Sequence, residues 1–111
     1  MVQYRAGRLS EEFKKEISDI IKNEVKDPRV GFVSVVYVDV SGDLRHAKVF
    51  VSVLGDEKKV SETLTALKSA AGFIRREIAR RIQLRYTPEL TFHYDDSIAH
   101  GAKIAKILAD V

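Results

Sequence analysis

The segment Ser69–Arg85, SAAGFIRREIARRIQLR, decides the fold that we predict for this chain. Apolar residues recur at helical spacing on both sides of Gly72, which predicts two helices joined at a small-residue step. The last eleven residues include five arginines. Arginine makes planar, bidentate contacts with phosphate, so the segment indicates a docking surface for a phosphate backbone. The alternative interpretations are a C-cap glycine between two ordinary helices and a solvated arginine face.

Upstream of this segment, the sequence predicts one helix and a β-hairpin. Apolar residues from Leu9 to Val25 follow helical spacing, so we expect a helix from Tyr4 or Leu9 to Lys26 that ends before Pro28. Residues 32–40 and 44–54 are rich in β-branched residues and are separated by a tight turn at 41–43, which is typical of a hairpin. The alternation in the second strand predicts that its valines point one way and Phe50 the other.

Downstream, the sequence predicts a third strand and a last helix. Asp56 is the expected N-cap of the first middle helix, and Thr87-Pro88 is expected to close the second. Residues 90–94 alternate as a strand. Asp96-Ser97 then caps a short C-terminal helix, whose predicted buried residues are Ile98, Ile104, Ile107 and Leu108. The predicted order is α-β-β-α-kink-α-β with that short C-terminal helix.

This order predicts a single domain, residues 1–111, of the α+β class. Three strands form a sheet too small to be stable alone, so helices must cover one of its faces. The long connection between strands two and three permits a parallel pair. We therefore expect a two-layer domain with a three-stranded sheet whose other face is partly open.

Composition narrows the functional classes. The 111 residues have a formal net charge of +3 and no cysteine, which excludes disulfides and thiolate metal sites. The first residues, MVQYRAGRLSEEF, contain no apolar run, and no stretch approaches the roughly 20 apolar residues of a membrane span. We expect a cytoplasmic, monomeric protein with no membrane, no small-molecule substrate and no cofactor.

The histidines and aromatic residues do not suggest catalysis. His46, His93 and His100 show no metal-ligand or nucleophile motif, so we interpret them as exposed structural residues. Phe50 and Tyr37 could form an RNA-stacking sheet face, but the sequence motif of such sheets is absent. The prediction for these two rings is packing in the core or against a helix.

The distribution of basic residues carries the functional prediction. Arg8, Lys15 and Lys22 fall on one line along the first helix. Between Lys68 and Arg85 there are six basic residues and one acid, Glu77. That imbalance is unusual for a neutralised surface and favours binding to a polyanion.

Three segments resemble one protein family. They are KDPRVGFVSV at 26–35, SGDLRHAKVFVSV at 41–53 and SAAGFIRREIARRIQLRYTPELTFHYDDS at 69–97. Together with the predicted order of elements they resemble ribosome-binding factor A, a family with the bacterial, type II form of the K-homology fold. The family has an A-x-G helix kink in place of the usual G-x-x-G loop. Here that kink corresponds to Ala70, Ala71 and Gly72.

The resemblance implies a non-enzymatic ribosome assembly factor. Such a protein would bind the free 30S subunit, assist late maturation of 16S rRNA near its 5′ end, and matter most in the cold. A K-homology module that binds RNA without subunit specificity and a protein-interaction domain are the alternatives. The candidate rRNA-binding residues are Arg5, Arg8, Lys15, Lys22, Arg45, Lys68, Arg75, Arg76, Arg80, Arg81 and Arg85.

Overall fold

The computed structural model describes residues 6–95, which form two helices packed on one side of a three-stranded sheet. The elements are α1 (Ala6–Asn23), β1 (Val33–Val40), β2 (His46–Val53), α2 (Glu57–Arg81) and β3 (Glu89–Tyr94). The sheet order is β1-β2-β3, with β1 and β2 antiparallel and β2 and β3 parallel. The predicted α+β class, hairpin and parallel third strand are confirmed. The predicted C-terminal helix lies outside the described residues.

The core lies between the helical layer and one face of the sheet. The apolar stripe of α1 is fully buried, as its spacing predicted, and the valines of β2 point toward it. Burying each such side chain contributes roughly 1.5–3 kcal/mol. The principal core residues are Leu9, Phe13, Ile17, Ile20, Val38, Val49, Val51, Leu67, Ile74, Ile78 and Phe92.

The predicted break at Gly72 is wrong, because α2 is one continuous helix of 25 residues. The buried positions Leu67, Ile74 and Ile78 are separated by seven and four residues, so one apolar stripe continues in register past the glycine. A single glycine in a helix interior costs only about 1 kcal/mol relative to alanine. Packing of that stripe on the sheet therefore outweighs the local preference for a break.

Both helices end earlier than predicted. α1 ends at Asn23 instead of Lys26, and the Val25 N–H donates to the Ile20 carbonyl, five residues back. α2 ends at Arg81, because Ile82 takes an extended conformation and is buried in the core. Residues 82–88 are consequently a loop, and the expected closure of the helix at Thr87-Pro88 is wrong. The predicted N-cap is confirmed, since the Asp56 carboxylate accepts from the Lys59 N–H at 2.8 Å.

A buried hydroxyl fixes the loop between α1 and β1 to α2. The Thr63 side chain is fully buried; its hydroxyl donates to the Arg29 carbonyl at 3.3 Å and accepts from the Gly31 N–H at 3.5 Å. The loop also folds on itself, because the Arg29 guanidinium and N–H both donate to the Asp27 carboxylate. These bonds determine how the chain enters β1.

An irregularity in β1 decides which of its side chains face the helices. The register with β2 shifts between Val35 and Tyr37, as in a β-bulge. Val38 and Val40 are therefore buried beneath the helices, whereas Tyr37 and Asp39 point to the opposite face. No described helix lies on that face. The sheet face expected to be partly open is open over the described residues.

Candidate nucleic-acid interface

The outward side of α2 carries exposed guanidinium groups. Arg76 and Arg80 are four residues apart and therefore lie on the same side of the helix. Glu77 is the only acid between Lys68 and Arg81. Its carboxylate accepts from Arg80 Nη1 at 3.2 Å, but the Glu77 side chain is only 18% exposed whereas that of Arg80 is 78% exposed. The surface that a partner would meet is therefore cationic.

Gly72 lies on the same outward side, one turn before Arg76. It is exposed, and the nearest atom to a Cβ built there is Arg76 Nη1 at 3.7 Å. The helix backbone is thus uncovered at this point and has a guanidinium beside it. A nucleic-acid backbone could approach more closely here than at any position with a side chain. Ala70 and Ala71 are half-buried and pack against the core.

Arg81 points the other way, into the seam between the helices. Its Nη1 donates to Glu16 at 3.1 Å and to Asp19 at 2.6 Å, and its side chain is 24% exposed. The hydrogen bond from Arg81 lowers the pKa of the Asp19 carboxyl, and the same contact raises the pKa of Arg81. Arg81 therefore joins α2 to α1, and its charge is already partnered within the protein.

A second basic group surrounds the start of β3. Arg75 reaches from α2 and donates from Nε and Nη2 to the Thr87 carbonyl at 3.2 and 2.8 Å. The guanidinium carbons of Arg45 and Arg85 lie 5.6 and 5.8 Å from the centre of the Tyr86 ring, which is within cation–π distance. Tyr86 is 61% exposed and was not among the sequence candidates. The available sequence signal was an aromatic residue directly after Arg85 and shortly before a predicted strand.

The basic line of α1 is weaker than the sequence suggested. Arg8, Lys15 and Lys22 are exposed, but Glu11 and Asp19 are exposed on the same side of the helix. Glu11, four residues before Lys15, reduces the attraction for a polyanion, whereas the Asp19 carboxylate is already paired with Arg81. α1 and α2 nevertheless cover the same face of the sheet, so this line and the α2 arginines belong to one helical layer.

The structure thus divides the predicted set. Arg76, Arg80 and Lys68 are exposed on α2; Arg45, Arg75 and Arg85 gather at the start of β3. Arg81 is held in the seam, and Arg5 lies outside the described residues. The contact of any of these residues with rRNA stays a prediction.

The described histidines form no catalytic or metal-binding arrangement. His46 lies 3.7 Å from Glu89 at the start of the parallel strands, and His93 Nε2 lies 2.9 Å from the Thr91 hydroxyl. Within residues 6–95 no three His, Cys, Asp or Glu side chains are grouped so that they could hold a metal ion. Neither of the two helices there is long and apolar enough to cross a membrane. His100 lies outside these residues.

Comparison with known sequences places the chain among close relatives. A sequence model described as ribosome-binding factor A matches residues 5–108. Ribosome-binding factor A of Halothermothrix orenii is 60% identical over 111 residues, which cover 100% of this chain and 91% of that protein. The protein of the same name from Clostridium tetani is 61% identical over 109 residues, covering 97% of this chain and 90% of the relative.

Solved structures with the same fold carry the same name. The crystal structure of ribosome-binding factor A from Thermus thermophilus superposes with a TM-score of 0.73 at 27% identity, covering 82% of this chain and 97% of that one. A homology model of the T. thermophilus protein, fitted into the cryo-EM map of its complex with the 30S subunit, matches with a TM-score of 0.68 at 26% identity. It covers 82% of this chain and 96% of that one.

Proposed function

Because this chain belongs to the ribosome-binding factor A family, we propose that it binds the free 30S ribosomal subunit and assists late maturation of 16S rRNA. A related protein has been fitted into a map of a 30S complex, which supports the choice of partner. The proposal includes processing near the 5′ end of 16S rRNA, importance in the cold, a cytoplasmic location and action as a monomer.

The observation that carries the proposal is the exposed cationic surface of α2. Arg76 and Arg80 extend from a rigid helix that the core holds in place, and the one nearby carboxylate is largely covered. Guanidinium groups on such a support can contact rRNA phosphates without first ordering a loop. Such contacts position a protein on RNA, and the uncovered backbone at Gly72 would let the rRNA approach closely.

No catalytic group is required by this mechanism. Binding that favours one rRNA conformation over others shifts the population toward that conformation by the difference in affinity. A protein that binds a folding intermediate of the subunit would thereby favour the rRNA arrangement that processing enzymes act on. Release would follow when the mature rRNA no longer offers the same surface.

Co-sedimentation with purified ribosomal particles tests the proposal. The full chain is mixed with free 30S subunits, 50S subunits and 70S ribosomes at two salt concentrations. We expect binding to the free 30S subunit alone, with affinity falling as salt rises, because phosphate contacts release counterions. Equal binding to all three particles, or to any unstructured RNA used as competitor, would instead indicate a K-homology module without subunit specificity. Binding that ignores salt would indicate a protein partner.

Charge-reversal variants then locate the surface. Arg76→Glu combined with Arg80→Glu should weaken 30S binding and lower the slope of log affinity against log salt by about 1.5, since each phosphate contact contributes roughly 0.7–0.9. The two substitutions are also made singly. Lys58→Glu is the matched control for each of them, because Lys58 is exposed in the first turn of α2, away from the arginines. If the folded double variant binds like the control, α2 is not the interface.

A further inference from the structure

The open face of the sheet carries a column of three stacked rings. Tyr37 of β1, Phe50 of β2 and His93 of β3 are direct neighbours in the strand register. The centres of the Tyr37 and Phe50 rings are 4.3 Å apart with 13° between their planes, and those of Phe50 and His93 are 5.3 Å apart at 29°. Neither Tyr37 nor Phe50 belongs to the core cluster, so the prediction that they pack in the core is wrong. Neither α1 nor α2 covers this face, and the predicted C-terminal helix lies outside the described residues.

Local structure holds the rings in this arrangement. The β1 irregularity turns Tyr37 to the open face opposite Phe50, and bulges characteristically redirect a side chain in this way. The short contact between His93 Nε2 and the Thr91 hydroxyl orients the third ring. The column is therefore preorganised. Because β1 and β3 are the edge strands, the outer faces of Tyr37 and His93 point away from the column at both ends.

The side chains that flank the column directly are polar. Ser34 and Ser52 lie opposite each other on one side of the column, and Asp39, Lys48 and Thr91 form a row on the other. Among the described residues, exposed apolar side chains follow only beyond the two serines, at Phe32 and Leu54. A flat ring surface with polar neighbours suits planar, polar-edged groups. Nucleobases have this shape, and they stack on aromatic side chains with little sequence preference.

One lysine lies close to the column. Lys48 is two residues from Phe50 on β2, so it points to the same face about 7 Å away, and Asp39 is its neighbour in the register with β1. Glu89 lies on this face beside His46, and the alternation of β3 puts Asp95 there as well. Lys48 is therefore the cation that a phosphate beside the column would meet.

We propose that the open sheet face is a second RNA-binding surface, which stacks unpaired bases on the ends of the Tyr37–Phe50–His93 column and contacts the strand's phosphates with Lys48. This surface lies opposite the helical layer. A single-stranded segment could therefore be bound while the α2 arginines contact structured rRNA. The partner is unpaired RNA, and recognition is by ring stacking and charge.

Two labelled oligonucleotides test the proposal with the full-length protein: twelve uridines, and twelve abasic riboses with the same phosphates. We expect tighter binding of the base-bearing strand. Phe50→Leu removes the middle ring, on which Tyr37 and His93 are both stacked, so the two outer rings lose the support that presents them to bases. It should lower affinity for the uridine strand by roughly 5- to 100-fold, the range for the loss of stacking on one base, and leave the abasic strand unchanged. Tyr94→Leu is the matched control, because Tyr94 ends β3 on the helix side and is also partly exposed.

Tyrosine fluorescence gives an independent readout, because the chain contains four tyrosines and no tryptophan. Uridine stacking should quench the emission, and Tyr37→Phe should keep the affinity while losing most of the quenching. His93→Leu replaces Phe50→Leu if the latter fails to fold by circular dichroism. Equal affinity of the wild type for both strands, or equal effects of Phe50→Leu and Tyr94→Leu, would overturn the proposal.

If the proposal for the open sheet face fails, the proposed rRNA contact through the α2 arginines is not affected. The variant with Arg76→Glu and Arg80→Glu should keep its preference for bases over abasic riboses, since those residues lie on the other side of the sheet. If a partner protein, not RNA, covers the column, Phe50→Leu would leave both oligonucleotide affinities unchanged, which also overturns the proposal.

Discussion

Replacing Gly72 by alanine separates the effect of this glycine on helix stability from its proposed effect on 30S binding. Gly72 is exposed within α2, nine residues before the helix ends, and a positive φ is not among its features. A Cβ built there meets nothing closer than Arg76 Nη1 at 3.7 Å, an ordinary van der Waals contact with the end of a flexible side chain. Alanine therefore fits without strain.

The expected gain follows from helix propensity. Glycine in a helix interior is less stable than alanine by roughly 0.5–1 kcal/mol, partly because the unfolded chain has more freedom to lose. At about 4 °C per kcal/mol for a domain of this size, Gly72→Ala should raise the melting temperature by about 2–4 °C. Thermal and urea unfolding followed by far-ultraviolet circular dichroism measure both quantities.

The matched control is Ala79→Gly, which makes the reverse change at an exposed position of the same helix. It should lower the free energy of unfolding by a similar amount. If Gly72→Ala is instead less stable than wild type while Ala79→Gly behaves as expected, α2 has a non-helical step at residue 72. The continuous helix described above would then be wrong.

The same variant tests the use of the exposed backbone. If rRNA approaches closely at Gly72, the added methyl group stands between them, so Gly72→Ala should bind the 30S subunit more weakly although it is more stable. Stability and affinity then change in opposite directions, which a folding defect cannot produce. Unchanged 30S affinity would show that the glycine is not part of the contact.

Two further predictions concern the loop between the α1 helix and β1. Thr63→Val should lower the free energy of unfolding by about 1–2 kcal/mol in urea denaturation, because the Gly31 N–H loses its acceptor and the Arg29 carbonyl keeps only the donor Lys59 Nζ. Thr65→Val should change it little, because the Thr65 hydroxyl is exposed and bonds only within the helix, and equal effects of the two variants would refute the role of Thr63. The Arg29 hydrogen bonds lower the pKa of Asp27 to about 2, so this contribution is fully present above the unfolded pKa of about 4 and is lost as pH falls toward 2. Asp27→Asn should therefore be less stable than wild type at pH 7 and converge with it at pH 2, as measured by urea midpoints; a constant difference across this range would contradict the assignment.

The elements that depend on periodicity were predictable from the sequence. The helical spacing of apolar residues from Leu9 to Val25 predicted α1 and its buried face. The alternation around Phe50 predicted which side chains of β2 face the helices and which face away. The helix ends were not, because they depend on tertiary contacts. α2 passes through Gly72 since its stripe is held by the sheet, and it ends at Arg81 since Ile82 enters the core.

The stacked rings on the open sheet face could not be predicted from the sequence, for a different reason. The sequence of β1 alternates only if one residue is left out, and the irregularity between Val35 and Tyr37 cannot be read from valines on both sides of it. Without that shift, Tyr37 would point toward the helices and the ring column would lack one member. The three rings come from three different strands. Their stacking could be predicted only by someone who also knew the parallel register of β3 with β2, which places His93 beside Phe50.

The arginines show why counting charge overestimates a binding surface. Sequence gives the number of guanidinium groups, but tertiary contacts decide how many a partner can reach. Arg81 donates to two carboxylates on α1, and Arg75 donates twice to a loop carbonyl, so each is committed to the fold. Arg76 and Arg80 extend outward from the same helix. Arg81 holds α2 to α1 and Arg75 holds α2 to the loop before β3, while Arg76 and Arg80 stay accessible to a partner. One arginine-rich segment therefore supplies both the rigidity of the surface and its charge.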